Sequence, residues 1–269
     1  MKTLSVVIPA LNECENLPAL IDSIPVATLR KLGWGTEILI VDNGSTDGTG
    51  ELAQALGARV VVQPVRGYGN AYKAGFANST GQVIATGDAD LTYPFDALPE
   101  LLEIFESYEL DFLSTDRLHS ANRQAMKSSH TFGNHVLSAV SRQLFGAQFR
   151  DSQSGMWILR RELWHGITVR SPGMAFSQEI KNEAAIKGYR CREVAIEYRP
   201  RGGEVKLNAP KDGLINLVQL VAHRARSSRS RDVRWVPQQR RLPYATGGLD
   251  AGSAKVRPAR DIEPDMTLV

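Results

Sequence analysis

The chain has 269 residues, 42% of them hydrophobic, which is enough to build one large folded domain or a domain with an appendage. The formal net charge of +3 is close to neutral, and no nucleic-acid recognition motif accompanies the arginines near the carboxyl end, so we expect no nucleic-acid partner. Cys14 and Cys191 lie far apart without metal-ligand spacing, which disfavours a disulfide framework or a zinc site. A reducing compartment fits this pattern, and we expect the cytoplasm. The first apolar run is too short to span a bilayer, and no signal-peptide cleavage region follows it.

Apolar, β-rich runs alternate with helix-period segments from the amino terminus onward. The predicted strands are Leu4–Ile8, Glu37–Val41, Arg59–Gln63, Val83–Thr86 and Asp111–Ser114. Helices are predicted after Glu13 and near residues 47–56, 69–77 and 95–107. This alternation predicts an α/β fold with a mostly parallel central sheet and helices on both faces.

Four polar clusters each follow a predicted strand. They are residues 9–13, 42–45, 88–90 and 115–117. Because sheets of this kind bind ligands beyond the carboxyl ends of their strands, we expect the four clusters to converge on one edge and form a site.

The third cluster contains two carboxylates, Asp88 and Asp90, separated by Ala89. An Asp-x-Asp sequence at a strand end can hold Mg²⁺ or Mn²⁺ against a diphosphate, since hard oxygen ligands suit these ions. The alternative is a solvated turn. In the second cluster, Asp42 can accept hydrogen bonds from a nucleotide base or ribose, and its alternative is a helix-capping role.

Six motifs in order carry a resemblance to a known family. They are VVIPALNE at 6–13, ILIVDNGSTDGT at 38–49, RGYGNAYKAGF at 66–76, GDADLTYP at 87–94, DSQSGMW at 151–157 and PRGGEVKL at 200–207. The chain resembles glycosyltransferase family 2, the inverting enzymes of GT-A (Rossmann-like) fold. Within the family it is similar to the polyprenyl-phosphate hexosyltransferases typified by dolichol-phosphate mannose synthase.

The resemblance implies a nucleotide-sugar donor, a GDP- or UDP-hexose, and a polyprenyl-phosphate acceptor. It implies a nucleotide-binding set made of Pro9, Leu11, Glu13, Val41, Asp42, Asp88, Ala89 and Asp90. Within that set, Asp88 touches ribose or metal and Asp90 ligates the metal.

The resemblance also implies that Arg117 meets phosphates and that Arg201 and Lys206 close over the donor diphosphate and the acceptor phosphate. Guanidinium and ammonium groups suit that task, and the glycines between Arg201 and Lys206 are typical of a loop that closes over phosphate. Thr92 replaces a glutamine common in relatives, which puts one metal contact in doubt. Trp157 stands where arginine is common, which predicts different electrostatics on the acceptor side.

A lipid phosphate is already an anionic nucleophile, so transfer to it needs no strongly shifted general base. If the acceptor is instead the hydroxyl of a soluble sugar or glycan, a base is needed, and Asp151 and Glu179 are the candidates. Turn and helix-surface roles are their alternatives. A non-catalytic nucleotide-sugar-binding or membrane-associated module is a further alternative for the whole chain, although both aspartates of the Asp-x-Asp pair are present.

Three segments are predicted: a glycosyltransferase domain at 1–210, an amphipathic helix at 211–226 and a basic, disordered tail at 227–269. The predicted apolar face of the helix consists of Leu214, Leu217, Val218 and Val221. A basic segment after such a helix can lie on an anionic membrane surface, which predicts a peripheral membrane location, and a membrane-protein partner is a further expectation. The alternative is a helix that packs on the domain.

Overall fold

A seven-stranded sheet forms the centre of the protein in a computed structural model, which describes residues 1–119, 122, 128–202, 209–227 and 235–236. In chain order the strands are β1 (Lys2–Ala10), β2 (Trp34–Asp42), β3 (Arg59–Val62), β4 (Val83–Thr86), β5 (Phe112–Asp116), β6 (Trp157–Arg160) and β7 (Cys191–Ala195). Their order across the sheet is β3-β2-β1-β4-β6-β5-β7. The predicted α/β fold with a mostly parallel sheet is confirmed.

The direction of each strand decides which loops meet. Strands β1 to β4 are parallel, with Val6 of β1 between Ile38 of β2 and Ala85 of β4. Strand β6 runs antiparallel to both of its neighbours, β4 and β5, so β5 again points in the same direction as β4. The carboxyl ends of β1, β2, β4 and β5 therefore lie at one edge. The antiparallel β6 was not predicted from the sequence.

Helices cover both faces of the sheet. They are α1 (Leu17–Asp22), α2 (Val26–Lys31), α3 (Thr49–Ala55), α4 (Tyr68–Asn78), α5 (Leu98–Ser107), α6 (Ser128–Phe145), α7 (Arg161–Gly166), α8 (Phe176–Ile186) and α9 (Ala209–Arg226). Alternate residues of a strand face opposite sides, so Val6 and Ile8 pack in one hydrophobic core and Val7 packs in the other. The first core takes in residues of α1, α2, α3 and α5, and the second takes in residues of α4 and α6 to α9.

Helix α9 packs against α6 and α8. Its buried side chains include Asn216, Leu220 and His223. The exposed apolar side chains, called here the α9 apolar stripe, are Leu214, Ile215, Val218 and Val221. The apolar face predicted from the sequence is thus mostly the exposed face, because the helix turns a partly polar side to the protein. No helix among the described residues combines the length and apolar composition needed to cross a bilayer.

Within the segment predicted to be a disordered tail, Trp235 and Val236 lie against the edge strand β7. Trp235 forms an isolated parallel bridge with Cys191, and the amide of Val236 donates a hydrogen bond to the Cys191 carbonyl oxygen at 3.0 Å. The ring of Trp235 packs edge-on against Phe149, with centroids 5.1 Å apart. The rest of the segment from residue 228 onward is outside the described residues.

The two thiols should differ sharply in reactivity. Cys191 is buried, and burial raises the pKa of its thiol, whereas Cys14 is partly exposed. Because the thiolate is the reactive form, we expect a disulfide reagent such as DTNB to modify one thiol per native chain rapidly and the second only after unfolding in guanidinium chloride. Cys14→Ser should abolish the rapid phase, and rapid modification of native Cys14→Ser would contradict the burial of Cys191.

Candidate active site

A cleft lies at the carboxyl edge of the parallel strands. The predicted residues that line it are Pro9, Leu11, Glu13, Asp88, Ala89, Asp90 and Arg201. They come from the ends of β1 and β4 and from the segment after β7, which lie far apart in sequence. Four further lining residues, Ala10, Asn43, Tyr68 and Met174, were not among the predicted site residues.

Both carboxylate oxygens of Asp90 are engaged. Oδ1 accepts hydrogen bonds from the amide of Thr92 at 3.1 Å and from its hydroxyl at 2.6 Å. Oδ2 forms an ion pair with Nη2 of Arg201 at 2.8 Å. The Asp90 carbonyl oxygen accepts the amide of Gly202 at 2.9 Å, which ties the backbone of the Arg201 loop to the same residue. Thr92, where glutamine is common in relatives, thus orients the Asp90 carboxylate.

Asp88 lines the same cleft and is more exposed than Asp90. The Tyr68 hydroxyl donates to its Oδ1 at 3.1 Å. Burial and then the charge of Asp90 raise the pKa of Asp88 to about 7, against the opposing charges of Arg117 and Arg201. Two carboxylates that repel each other in a buried place are stabilised by an added cation.

The donor chemistry of Asp88 and Asp90 fits Mg²⁺ or Mn²⁺ rather than a softer metal, because both ligands are carboxylates. The described residues contain no cluster of three or more His, Cys, Asp or Glu that could hold a metal ion. A pair of carboxylates completed by phosphate oxygens and water is the arrangement that Mg²⁺ commonly adopts.

Arg117 and Asp151 form a buried ion pair beside the cleft. Nε of Arg117 donates to Oδ2 of Asp151 at 2.7 Å, and Nη2 donates to Oδ1 at 3.0 Å. The Arg117 guanidinium lies 5.4 Å from the centre of the Tyr198 ring. Burial alone would raise the pKa of Asp151, but the charge and hydrogen bonds of Arg117 hold it below its ordinary value. These contacts make Asp151 a poor proton acceptor and a good anchor for Arg117.

Glu179, the other candidate base, lies away from the cleft. Its Oε2 accepts hydrogen bonds from the amides of Arg170 at 3.2 Å and Ser171 at 2.7 Å. It lines a separate pocket with Glu183 and His223 on the α8–α9 side of the protein. The structure therefore does not bring Glu179 together with Asp88 and Asp90.

Two predicted nucleotide-binding residues are placed differently from the rest. Val41 is buried in the hydrophobic core, and Asp42 does not line the cleft. Oδ1 of Asp42 accepts the amide of Ser45 at 2.9 Å, a contact within the turn after β2 and not at the start of α3, which begins at Thr49. Lys206 lies outside the described residues. Trp157 is buried in the core.

Asn43 and Gly155 support the cleft, and the sequence analysis did not predict either as a site residue. The Asn43 side chain donates to the carbonyl oxygens of Gln63 and Val65 and accepts the amide of Gly67, which fixes the segment before Tyr68. Both residues occur inside motifs that the sequence analysis identified, NGSTDG and SGMW. Membership of these motifs could have marked Asn43 and Gly155 as site residues. Their supporting roles could not be predicted, because their contacts are with segments distant in sequence.

The family model described as Glycosyl transferase family 2 matches residues 5–167, more than half of the chain. The chain belongs to this family. Among curated relatives, the low-salt glycan biosynthesis hexosyltransferase Agl6 of Haloferax volcanii is 37% identical over 213 residues, covering 78% of this chain and 51% of that protein. The chain thus spans about half the length of that relative. The dolichyl-phosphate hexose transferase of the same organism is 37% identical over 172 residues, covering 64% of this chain and 74% of that protein.

Among solved structures, one similar fold is that of a glucosyl-3-phosphoglycerate synthase from Mycobacterium tuberculosis. Its TM-score is 0.57 at 25% identity, covering 82% of this chain and 78% of that one. That protein was crystallised with Mn²⁺, uridine diphosphate and glucosyl-3-phosphoglycerate. The family 2 assignment and the GT-A fold predicted from the motifs are both confirmed.

Gly155 should not tolerate a side chain. A Cβ at this position would press into the Tyr68 hydroxyl and lie 3.1 Å from Oδ1 of Asp88. We expect Gly155→Ala to push Tyr68 off Asp88 and to weaken Mn²⁺ binding about tenfold, which corresponds to about 1.4 kcal/mol. Calorimetric titration with Mn²⁺ measures this. Gly173→Ala is the matched control because nothing lies within 4 Å of its Cβ position, and equal affinities for the two variants would contradict the crowding argument.

Arg201 should compete with a divalent cation for Asp90. Since its guanidinium occupies Oδ2 of Asp90, we expect Arg201→Gln to raise the affinity for Mn²⁺ about fivefold in the absence of nucleotide, corresponding to about 1 kcal/mol for a partly exposed pair. Arg199→Gln is the control, because Arg199 pairs with Asp96 and Glu197 instead. Electron paramagnetic resonance of free Mn²⁺ gives both constants. An unchanged or lower affinity in Arg201→Gln would show that the pair does not restrict the metal.

Proposed function

We propose that the protein transfers a hexose from a nucleoside diphosphate sugar to a polyprenyl phosphate, with metal dependence and inversion at the anomeric carbon. The observation that carries the proposal is the meeting of Asp88, Asp90 and Arg201 in one cleft, with the Arg117 guanidinium beside it. Paired carboxylates and two arginines suit a reaction in which both the leaving group and the nucleophile are phosphates. The names of the two Haloferax relatives, a hexosyltransferase and a dolichyl-phosphate hexose transferase, agree with it.

The carboxylates of the site favour an acceptor that is already ionised. Among the described residues, the carboxylates lining the cleft are Glu13, Asp88 and Asp90. Glu13 accepts a hydrogen bond from the Asn16 side chain at 2.7 Å. Asp88 and Asp90 are the pair of carboxylates proposed to bind the divalent cation. Since Asp151 is bound to Arg117 and Glu179 lies elsewhere, neither candidate base is placed to deprotonate a sugar hydroxyl. A phosphate monoester needs no such base at neutral pH.

In the proposed reaction, an acceptor phosphate oxygen attacks the anomeric carbon while the bond from that carbon to the nucleoside diphosphate breaks. The carbon is inverted and the diphosphate leaves with the bonding electrons. Asp88 and Asp90 would hold Mg²⁺ or Mn²⁺, which supplies stabilisation of the charge that builds on the leaving diphosphate. Arg201 would contact the diphosphate, and Arg117 would position the acceptor phosphate, each in a cleft where fixed charges act strongly.

An anionic membrane surface is the proposed place of the acceptor. The α9 apolar stripe is exposed, and the helix ends with Arg224 and Arg226. Helix α9 also begins seven residues after Gly202, whose amide binds Asp90. Apolar side chains beside cations are the composition of helices that lie in a membrane interface. We therefore propose a peripheral membrane location.

The test is transfer of radiolabelled sugar from a panel of UDP- and GDP-hexoses to undecaprenyl phosphate or dolichyl phosphate in detergent. We expect label in the organic phase with Mn²⁺ or Mg²⁺, its loss with EDTA, and a decrease of at least about 100-fold in Asp90→Asn, since such a change removes a transition-state interaction. Asp22→Asn is the control, because Asp22 is an exposed carboxylate at the end of α1.

Parallel reactions with 3-phosphoglycerate and with free hexoses test the hydroxyl alternative. Label found only in those water-soluble products would overturn the polyprenyl-phosphate acceptor. Binding of a nucleotide sugar without any transfer would favour the non-catalytic module. Equal transfer by Asp90→Asn or in EDTA would refute the metal role.

A further inference from the structure

Asp151 is held from three sides by buried charged residues. Its carboxylate binds Arg117 through the two hydrogen bonds described above, and the Arg117 amide adds a third at 3.2 Å. Its own amide donates to Oε1 of Glu193 at 3.2 Å. Its carbonyl oxygen accepts Nζ of Lys181 at 2.6 Å. The peptide unit and side chain of one residue are therefore fixed by three other segments.

Each of these partners comes from a different element. Glu193 lies on β7, Lys181 lies on α8, and Arg117 directly follows β5. Lys181, Asp151 and Glu193 are all buried. Glu193 also binds the amide of Arg150 through Oε2 at 2.7 Å, so its carboxylate holds two consecutive amides of the loop between α6 and β6. Burying two further charges is costly unless they are well paired, which indicates that the position of this loop is under tight constraint.

These contacts fix the position of the Arg117 guanidinium. Its Nε and Nη2 atoms face Asp151, and Nη1 has no hydrogen-bond partner among the described residues. The guanidinium also lies against the Tyr198 ring, which packs edge-on against Tyr93, and the Tyr93 hydroxyl accepts the amide of Gly155 at 2.6 Å beside the cleft. A planar cation bound by two parallel hydrogen bonds has a fixed orientation, whereas a free arginine side chain has many conformers.

We propose that Lys181 and Glu193 are positioning residues, which fix the Asp151 peptide so that Arg117 presents its guanidinium to the acceptor phosphate. The inference rests on the proposed function for the identity of that phosphate, but the geometry of the Asp151 contacts does not depend on it. Neither Lys181 nor Glu193 belongs to the six motifs that identify the family. Both act through Asp151 and touch no reacting group.

Two near-isosteric variants separate the hydrogen bond from the packing at position 181. Lys181→Met removes the donor to the Asp151 carbonyl oxygen, and Lys181→Gln keeps a donor with a similar volume. We expect Lys181→Met to raise KM for polyprenyl phosphate at least tenfold and to change the Kd of the bound nucleoside diphosphate less than twofold. Lys181→Gln should return KM to within about threefold of the unaltered protein. Lys187→Met, an exposed position directly after α8, controls for loss of a lysine.

A double-mutant cycle with Arg117→Gln tests whether Lys181 acts through Arg117. If it does, Lys181→Met should have less than a twofold further effect on KM once Arg117 is replaced, since there is no guanidinium left to position. Fully additive effects, or equal losses in acceptor KM and nucleotide Kd, would show a general structural role and overturn the inference. Glu193→Gln, which leaves one acceptor oxygen for two amides, provides the same readouts if Lys181→Met fails to fold.

A crystal structure of Lys181→Met separates failure of this inference from failure of the proposed function. Displacement of the Arg117 guanidinium from its 2.7 Å contact with Asp151 is expected. An unmoved Arg117 would overturn the positioning role whatever the acceptor is. Absence of transfer to polyprenyl phosphate by the unaltered protein would instead refute the proposed function, while the displacement would still support the role of Lys181 in placing Arg117.

Discussion

The repulsion between Asp88 and Asp90 is the constraint around which the site is arranged. The two carboxylates are separated by one residue at the end of β4, and burial together with the Asp90 charge raises the pKa of Asp88 to about 7. Such a pair is tolerated only where positive charge is close. The protein brings Arg201 to within 2.8 Å of Asp90, and the charge of Arg117 acts on Asp88. A substrate diphosphate would interact with the two arginines, and its divalent cation would interact with the two aspartates.

The two arginines are held in different ways, and the difference matches the roles proposed for them. Arg201 lies on a loop, is partly exposed, and forms an ion pair with Asp90. Arg117 is buried and bidentate on Asp151, whose peptide is held by Lys181 and Glu193. Burial lowers the pKa of Lys181 to about 8 and raises that of Glu193 to about 8, which reflects the cost of placing both under the cleft. The Arg201 guanidinium is therefore able to exchange Asp90 for a substrate phosphate, whereas the Arg117 guanidinium is fixed.

Much of the fold followed from local pattern, and the parts that did not were set by long-range pairing. The strand at Val83–Thr86 was predicted with its observed bounds, and the helix predicted near 69–77 is Tyr68–Asn78. The antiparallel β6 could not be read from its own residues, because strand direction depends on how the chain returns to the sheet. Which side of helix α9 is buried likewise depends on contacts with distant segments. Its buried side includes Asn216, which bonds to Gln153, and His223, which bonds to Glu183.

The sequence by itself determined the family, the α/β class and the residues of the Asp-x-Asp pair, because these depend on short motifs and on the alternation of apolar runs. Only the tertiary structure decided which charged groups are engaged. Asp151 was a candidate base until its contacts with Arg117 were visible, and Lys181 carried no motif at all. Ion pairs between residues more than 30 positions apart are set by packing of distant segments, and local sequence carries no record of them.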